Sequence, residues 1–225
     1  MTNGPQVIPF YIVCDTSRSM RGPRIESVNA GLPLLFKTVA SDPVIAHKAR
    51  VAVISFATDA KVELPLSDLS TVVGAPRLTA AGQTNYRKAI EATRSEIEKD
   101  VQHLRSAGFS ILRPFVYFIT DGRPGDAWRR MRDEWIDKNA NMIAPNIMSF
   151  GVANADESTL TRMSTQYSFV ARDGVDPSVA LREVMRHIAN SVVMTATAVG
   201  EGQVALPVPK DDQHFRILVS PGRVA

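Results

Sequence analysis

The sequence predicts a doubly wound α/β fold, with a mostly parallel central sheet, one antiparallel edge strand and helices on both faces. Apolar runs typical of buried strands alternate with amphipathic helical patterns along most of the chain. The run over residues 114–120 is almost continuously apolar, which is typical of a parallel strand covered on both faces. A very short turn at 58–60 joins two strand-like segments, so these two should pair antiparallel at a sheet edge.

In the first part of the chain, the predicted elements are a strand, a helix and a hairpin. The buried strand covers residues 7–14, and a helix begins at Pro23 with apolar residues recurring at spacings of three and four. Pro33 lies inside this helical pattern and should kink or divide the helix. Strands over 50–56 and 61–66 then form the two sides of the hairpin.

The rest of the chain continues the alternation to about residue 197. We therefore expect one domain over residues 1–197, followed by a partly ordered tail over 198–225 that is richer in Gly and Pro. Short strands at 203–208 and 215–219 are candidates within that tail. The other predicted helices cover 86–106, 127–139 and 157–164 and begin again at Pro177, and the other predicted strands cover 114–120, 144–152 and 167–170.

Composition bounds the class of protein. The chain of 225 residues is 44% hydrophobic and 22% charged, which suffices for one sizeable core and argues against global disorder. A net charge of +3 is too small to indicate nucleic-acid binding, and the sequence has no Lys/Arg run or zinc-finger spacing that would do so. We expect no nucleic-acid partner.

Cysteine usage and hydropathy bear on the compartment. Cys14 is the only cysteine, so no intramolecular disulfide can form, which fits a reducing compartment. No apolar stretch reaches the roughly 18 residues that a membrane-spanning helix needs. The first residues also lack the positive start and apolar segment of a signal peptide. The expected location is cytoplasmic, with no membrane span.

Polar side chains with oxygen donors follow the ends of two predicted strands. Asp15, Ser17 and Ser19 alternate in the loop after the first strand, and Asp121 comes directly after the strand over 114–120. Parallel strands end at the same edge of a sheet, so these groups should meet there, together with the loop hydroxyl of Thr84. Two carboxylates at one place repel unless a cation lies between them. Oxygen donors suit Mg²⁺, Ca²⁺ or Mn²⁺, so we predict a divalent metal site.

Three short segments of the sequence resemble those of a known family. They are Asp-x-Ser-x-Ser at 15–19, Gly-x-Thr at 82–84 opening a helix, and Thr-Asp-Gly at 120–122. In this order and at these spacings, they resemble the metal-ion-dependent adhesion site of the von Willebrand factor type A (VWA) domain. The resemblance covers about residues 5–195 and implies a Rossmann-like fold.

The resemblance implies roles for the five side chains. By analogy with the family, Ser17, Ser19 and Thr84 are direct metal ligands, whereas Asp15 and Asp121 bind the metal directly or through water. One coordination position is left open for a carboxylate of a partner protein. Few direct carboxylates keep the cation electrophilic, and the implied cation is Mg²⁺, with Mn²⁺ or Ca²⁺ as alternatives.

A narrower resemblance concerns the residues after the first metal segment. Asp-Thr-Ser-x-Ser-Met followed by Gly22, Ile25, Val28 and Asn29 is similar to the intracellular VWA proteins of bacterial tellurium-resistance operons. That resemblance implies a scaffold in a stress response, whose partners are kinase- or phosphatase-type proteins, and no enzymatic activity of the chain itself.

Basic residues cluster around the predicted site. We interpret them as a rim that binds an acidic partner, with a partner Asp or Glu on the metal and further acids or phosphates on the arginines. The alternative is that these side chains are solvated or pair with local acids such as Glu26 and Asp126. The predicted partner-binding residues are Arg18, Arg21, Arg87 and Arg123, with Arg24 and Lys88 nearby.

Two other functions are compatible with a strand that ends in an acid. A haloacid-dehalogenase-type phosphatase would use Asp15 as nucleophile and Mg²⁺, but it needs a second acid two residues later, where this chain has Ser17. A dinucleotide- or nucleotide-binding domain would need a Gly-x-Gly-x-x-Gly or Gly-x-x-x-x-Gly-Lys loop, and the sequence has neither. The binding module is therefore the leading hypothesis, and the phosphatase is its main alternative.

Overall fold

The computed structural model describes residues 4–200 and 212–219, and its centre is an eight-stranded sheet. The strands are β1 (Gln6–Asp15), β2 (Ala49–Phe56), β3 (Ala60–Ser67), β4 (Ser110–Ile111), β5 (Phe115–Thr120), β6 (Asn146–Gly151), β7 (Tyr167–Ala171) and β8 (Phe215–Val219). Their order in the sheet is β3-β2-β1-β5-β6-β7-β8, and the short β4 pairs with the beginning of β1.

Helices cover both faces of this sheet. They are α1 (Pro23–Ala40), α2 (Pro43–Lys48), α3 (Tyr86–Ser106), α4 (Arg129–Ile136), α5 (Glu157–Met163) and α6 (Pro177–Gly200), with short 3₁₀ turns at Arg18–Met20 and Leu69–Thr71. One core contains buried side chains of α1, α2 and α6, and the other contains those of α3 and α4, so the predicted doubly wound fold is confirmed. None of the helices in residues 4–200 is long and apolar enough to cross a membrane.

The strand β1 lies in the middle of the molecule. It pairs in parallel with β2 on one side and with β5 on the other, and every residue from Val7 to Asp15 is buried. Its side chains alternate between the two cores: Phe10 and Ile12 face α1 and α6, whereas Tyr11 and Val13 face α3 and α4. A strand buried on both faces explains the apolar run in the sequence.

The two edges of the sheet are antiparallel. The predicted pairing of β3 with β2 is confirmed, and β8 adds a second antiparallel edge strand beside β7. Two contacts anchor β8: the ring of Phe215 lies edge-on to Phe169, and Asp212 pairs with His187 of α6. Asp212 also accepts a hydrogen bond from the Phe215 amide, which fixes the start of the strand. The candidate strand at 203–208 lies outside the described residues, and the domain limit at residue 197 stays a prediction.

Helix α1 passes through Pro33 without being divided, in contrast to one of the two expectations for that residue. The Pro33 side chain lies on the exposed face of the helix. Leu32 before it and Leu35 after it lie on the opposite face and are buried in the core. The helix also packs closely against α6, because a Cβ atom at Gly31 would lie 2.5 Å from Cγ of Met185. Tertiary packing on both sides of Pro33 therefore keeps α1 one continuous helix.

A hydrogen bond between β1 and α3 has a consequence for stability. The Tyr11 hydroxyl donates to Asp100 Oδ2 over 2.8 Å. Burial raises the pKa of Asp100 to about 6, although the Tyr11 hydrogen bond acts in the opposite direction. Because the folded-state pKa lies above the unfolded-state value of 3.8, Asp100 binds its proton more tightly when folded. Ionisation of Asp100 therefore costs stability as the pH rises through this range.

We predict that Asp100→Asn raises the free energy of unfolding above pH 7 and has little effect at pH 4. The amide still accepts the Tyr11 hydrogen bond but carries no charge to desolvate. The gain should be roughly 1 kcal/mol, once screening of this half-buried group by solvent is allowed for. Urea denaturation at both pH values measures it, with the exposed Asp173→Asn as control. A pH-independent effect would contradict the assignment.

Candidate metal centre

The polar site lies at the carboxyl edge of the sheet, where the neighbouring strands β1 and β5 end. Asp15 is the last residue of β1, and Asp121 directly follows β5. The loop before α3 is joined to the loop after β1 by two backbone hydrogen bonds, from Ala81 N to Thr16 O (2.8 Å) and from Arg18 N to Gly82 O (3.0 Å). The parallel pairing of the strands and these loop contacts bring three distant segments together.

The five predicted ligands lie in one hydrogen-bonded group, which we call the oxygen cluster: the side chains of Asp15, Ser17, Ser19, Thr84 and Asp121. The Thr84 hydroxyl donates to Ser17 Oγ over 3.1 Å. Ser17 Oγ and Ser19 Oγ lie 3.0 Å apart, and the Ser19 hydroxyl donates to Asp121 Oδ1 over 2.8 Å. Small oxygen donors from three segments therefore meet at one place, as the sequence predicted.

Each carboxylate oxygen of Asp15 accepts one hydrogen bond. The backbone amide of Ser17 donates to Oδ1 (2.8 Å) and the Thr120 hydroxyl donates to Oδ2 (2.7 Å). The pKa of Asp15 is raised to about 6, chiefly by burial; the hydrogen bonds from Thr120 and Ser17 act to lower this pKa, and the nearby charge of Asp121 adds a smaller upward contribution. The carboxylate is therefore fixed in orientation and partly desolvated.

Sequence reasoning gave Thr120 no role of its own. It is the one threonine or serine in strand β5, it is fully buried, and it directly precedes Asp121. Besides donating to Asp15, its hydroxyl oxygen accepts a hydrogen bond from the Gly122 amide over 3.1 Å. A small polar residue at the end of an otherwise aromatic and aliphatic strand, directly before the acid, was the signal that could have identified it.

Asp121 has a partner that the sequence placed only near the site. Arg24, the second residue of α1, donates from Nη1 to Asp121 Oδ2 over 2.6 Å and to the Ser19 carbonyl oxygen over 3.0 Å. The guanidinium of Arg24 is therefore part of the oxygen cluster's immediate surroundings. Both oxygens of Asp121 are engaged, one by the Ser19 hydroxyl and the other by Arg24.

The residues at this place suit a divalent cation. The donors are two carboxylates and three hydroxyls, all hard oxygens of the kind that Mg²⁺, Mn²⁺ and Ca²⁺ prefer. Gly122 leaves space beside them, since a Cβ atom there would lie 2.9 Å from Thr84 Oγ1 and 3.7 Å from Asp15 Oδ2. Within residues 4–200 and 212–219, no group of three or more His, Cys, Asp or Glu side chains could hold a metal. A cation at the cluster would depend on the hydroxyls.

The predicted rim of arginines surrounds the cluster unevenly. Arg18, Arg21, Arg87 and Arg123 are all exposed, but two of them have local contacts. Arg21 donates to the Ala80 carbonyl oxygen (3.2 Å), and Arg87 lies 3.6 Å from Glu91 of the same helix. Among the described residues, neither Arg18 nor Arg123 has a side-chain hydrogen bond or ion pair.

The two local acids proposed as alternative partners of these arginines are engaged elsewhere. Asp126 accepts hydrogen bonds from the backbone amides of Tyr86 and Arg87, at 3.1 and 2.7 Å, and so caps the start of α3. Glu26 pairs with Arg77 over 2.8 Å. The rim arginines thus do not pair with these two acids, but Arg87 pairs with another local acid, Glu91, and the partner-binding role of the rim stays a prediction.

Comparison with known proteins supports the family resemblance. The family model described as the von Willebrand factor type A domain matches residues 10–123, a range that contains the whole oxygen cluster. Matrilin-3 of Gallus gallus is 31% identical over 170 residues, which cover 73% of this chain and 35% of matrilin-3. The chain thus spans about a third of the length of that relative.

Solved structures with a similar fold include bacterial proteins. A von Willebrand factor type A protein from Catenulispora acidiphila aligns with a TM-score of 0.57 and 15% identity, over 84% of this chain and 43% of that one. The pilus adhesin SpaC of Lactobacillus rhamnosus GG, in an open conformation, aligns with a TM-score of 0.62 and 13% identity, over 86% of this chain and 30% of that one. At such identities the likeness concerns the fold alone.

We predict that Gly122→Ala weakens Mg²⁺ and Mn²⁺ binding by about tenfold, because the added methyl group must displace the Thr84 hydroxyl. Isothermal titration calorimetry measures the affinity, and thermal unfolding checks that the variant is folded. Gly125→Ala is the matched control in the same loop, since a Cβ atom there meets nothing within 4 Å. Equal affinity of the Gly122 variant and the control would place the cation elsewhere.

Proposed function

The chain belongs to the von Willebrand factor type A family, and from that premise we propose that it is a metal-dependent protein-binding module of the adhesion or scaffold type. The observation that carries the proposal is the hydrogen-bonded cluster of side-chain oxygens from three segments at the carboxyl edge of the sheet. The residues that would hold the divalent cation are Asp15, Ser17, Ser19, Thr84 and Asp121.

The composition of the cluster suits capture of an acidic partner. Ser17, Ser19 and Thr84 would be the direct ligands, and their neutral hydroxyls offset little of a cation's charge. Asp15 and Asp121 would bind directly or through water. When bound, the cation supplies an electrophilic position for an Asp or Glu carboxylate of a partner protein. Mg²⁺ is the proposed physiological ion, with Mn²⁺ or Ca²⁺ as alternatives.

The proposed activity is binding rather than catalysis. A phosphatase of the haloacid-dehalogenase type needs an acid two residues after its nucleophile, and Ser17 occupies that position beside Asp15. The Ser17 and Ser19 hydroxyls bond to each other, and the described histidines make no hydrogen bond to either of them. Neither serine therefore has a histidine as general base, and the carboxylate that Ser19 contacts, Asp121, is already paired with Arg24.

The proposed setting follows from the narrower sequence resemblance. The chain would act in the cytoplasm, within a bacterial stress response of the tellurium-resistance type, and bind a kinase- or phosphatase-type protein that presents Asp or Glu. The single buried cysteine, Cys14, suits a reducing compartment. The exposed Arg18 and Arg123 would bind further acids or phosphates of that partner, and Arg21 and Arg87 would contribute to the same positive rim.

We predict that partner capture depends on both the metal and Thr84. Proteins retained by the immobilised wild-type chain in Mg²⁺ should be released by EDTA, and Thr84→Ala should fail to retain them because one hydroxyl ligand is lost. Quantitative mass spectrometry of the three samples provides the measurement. Thr38→Ala, an exposed threonine on α1, is the matched control and should behave as wild type. Partners captured equally in all samples would rule out metal-dependent binding.

We also predict that Arg18→Ala combined with Arg123→Ala weakens binding of the captured partner by about tenfold, because electrostatic attraction to an acidic partner is lost. High salt screens this attraction, so the difference between variant and wild type should shrink there. Metal affinity should stay unchanged. Arg130→Ala, which removes an arginine with 93% side-chain exposure on α4, is the control. Unaltered partner affinity of the double variant would show that the rim arginines are merely solvated.

A further inference from the structure

An arginine of the chain places a positive charge directly against the oxygen cluster. Arg24 Nη1 lies 2.6 Å from Asp121 Oδ2, and the two side chains are 29% and 0% exposed, respectively. The carboxylate of Asp121 is therefore buried from solvent, and its counter-charge is a guanidinium that is itself only partly exposed. An ion pair of this kind is coupled far more strongly than an exposed surface pair.

The position of Arg24 is determined by the start of α1. Pro23 begins the helix, Arg24 is its second residue, and the guanidinium reaches back to donate to the Ser19 carbonyl oxygen as well as to Asp121. This second hydrogen bond links Arg24 to the first metal segment. The guanidinium thus bridges two of the three segments that form the cluster.

The sum of the charges at the cluster determines how Arg24 affects the affinity of the site for a divalent cation. Asp15 and Asp121 contribute two negative charges when ionised, and Arg24 offsets one of them. A divalent cation that draws on Asp121 must either displace the guanidinium or share the carboxylate with it. In both cases the cation meets a less negative site than two unpaired carboxylates would provide.

We infer that Arg24 is a resident counter-ion of Asp121 that competes with the divalent cation and thereby sets the metal affinity of the site. The inference rests on the proposed function, because it assumes that the oxygen cluster is where the metal binds. Arg24 is in this sense a residue that tunes the site without being a metal ligand. If Arg24 only oriented Asp121, its loss would change the metal affinity in the opposite direction and weaken metal binding.

Calorimetric titration of Mg²⁺ and Mn²⁺ into purified variants tests whether the loss of Arg24 raises or lowers the metal affinity. Arg24→Gln should bind both ions about tenfold more tightly than wild type, because one positive charge next to a ligand is removed. Arg24→Lys keeps the charge and should stay close to the wild-type affinity. Arg77→Gln is the matched control, since Arg77 pairs with Glu26 of the same helix but both side chains are largely exposed.

Thermal unfolding supplies a second readout that does not depend on titration. In EDTA, Arg24→Gln should unfold at a lower temperature than wild type, because the buried Asp121 loses its counter-charge. Mg²⁺ should then raise its unfolding temperature by more than it raises that of wild type. Asp121→Asn combined with Arg24→Gln removes both charges and should recover part of the loss in EDTA.

The outcomes separate this inference from the proposed function. If wild type binds the ions and Arg24→Gln binds them equally or more weakly, the counter-ion role is overturned while the metal site stands. If wild type binds no ion but Arg24→Gln does, the counter-ion role is upheld and metal-dependent function of the natural chain is overturned. If no variant binds an ion, both are overturned.

Discussion

Two carboxylates meet at one edge of this sheet, and the rest of the site is arranged around their charge. Asp15 and Asp121 end neighbouring parallel strands, so the fold brings them together regardless of the loops. Two like charges at a buried place require protonation, hydrogen-bond donors or a cation. The chain supplies the latter two itself: Thr120 and the Ser17 amide hold Asp15, and Arg24 pairs with Asp121.

The sheet gives this edge its rigidity. β1 is buried along almost its whole length between two cores, and it lies between β2 and β5, so its last residue has little freedom to move. The loops that follow are then joined to one another by backbone hydrogen bonds at Thr16 and Gly82. Oxygen donors on such a frame need little reorganisation to bind a ligand, which is what a binding module requires.

Two residues beside the oxygen cluster, Gly122 and Arg24, shape the place where a cation would bind. Gly122 keeps open the space beside Thr84 and Asp15 that a side chain would fill. Arg24 decides how negative that space is. The affinity of the site would thus depend on residues that no list of metal ligands includes, and a family motif alone does not reveal how strongly a given member binds its cation.

Much of the fold and of the candidate site could be predicted because the relevant patterns are local. The apolar runs of β1 and β5, the apolar face of α3 and the short turn before β3 each reflect the burial or pairing of a single element, and all were confirmed. The acids at the ends of two parallel strands indicated a common edge, so the meeting of Asp15 with Asp121 followed from topology.

What only the tertiary structure decided were the contacts that no local pattern encodes. The pairing of β8 with β7 depends on Phe215, whose ring lies against Phe169, and on Asp212, which bonds to His187 of the preceding helix α6. The pairing of Arg24 with Asp121 depends on the angle at which α1 leaves the first loop. The sequence by itself determined which oxygens could meet, because strand ends are local; which positive charge reaches them was decided by how helix and sheet pack.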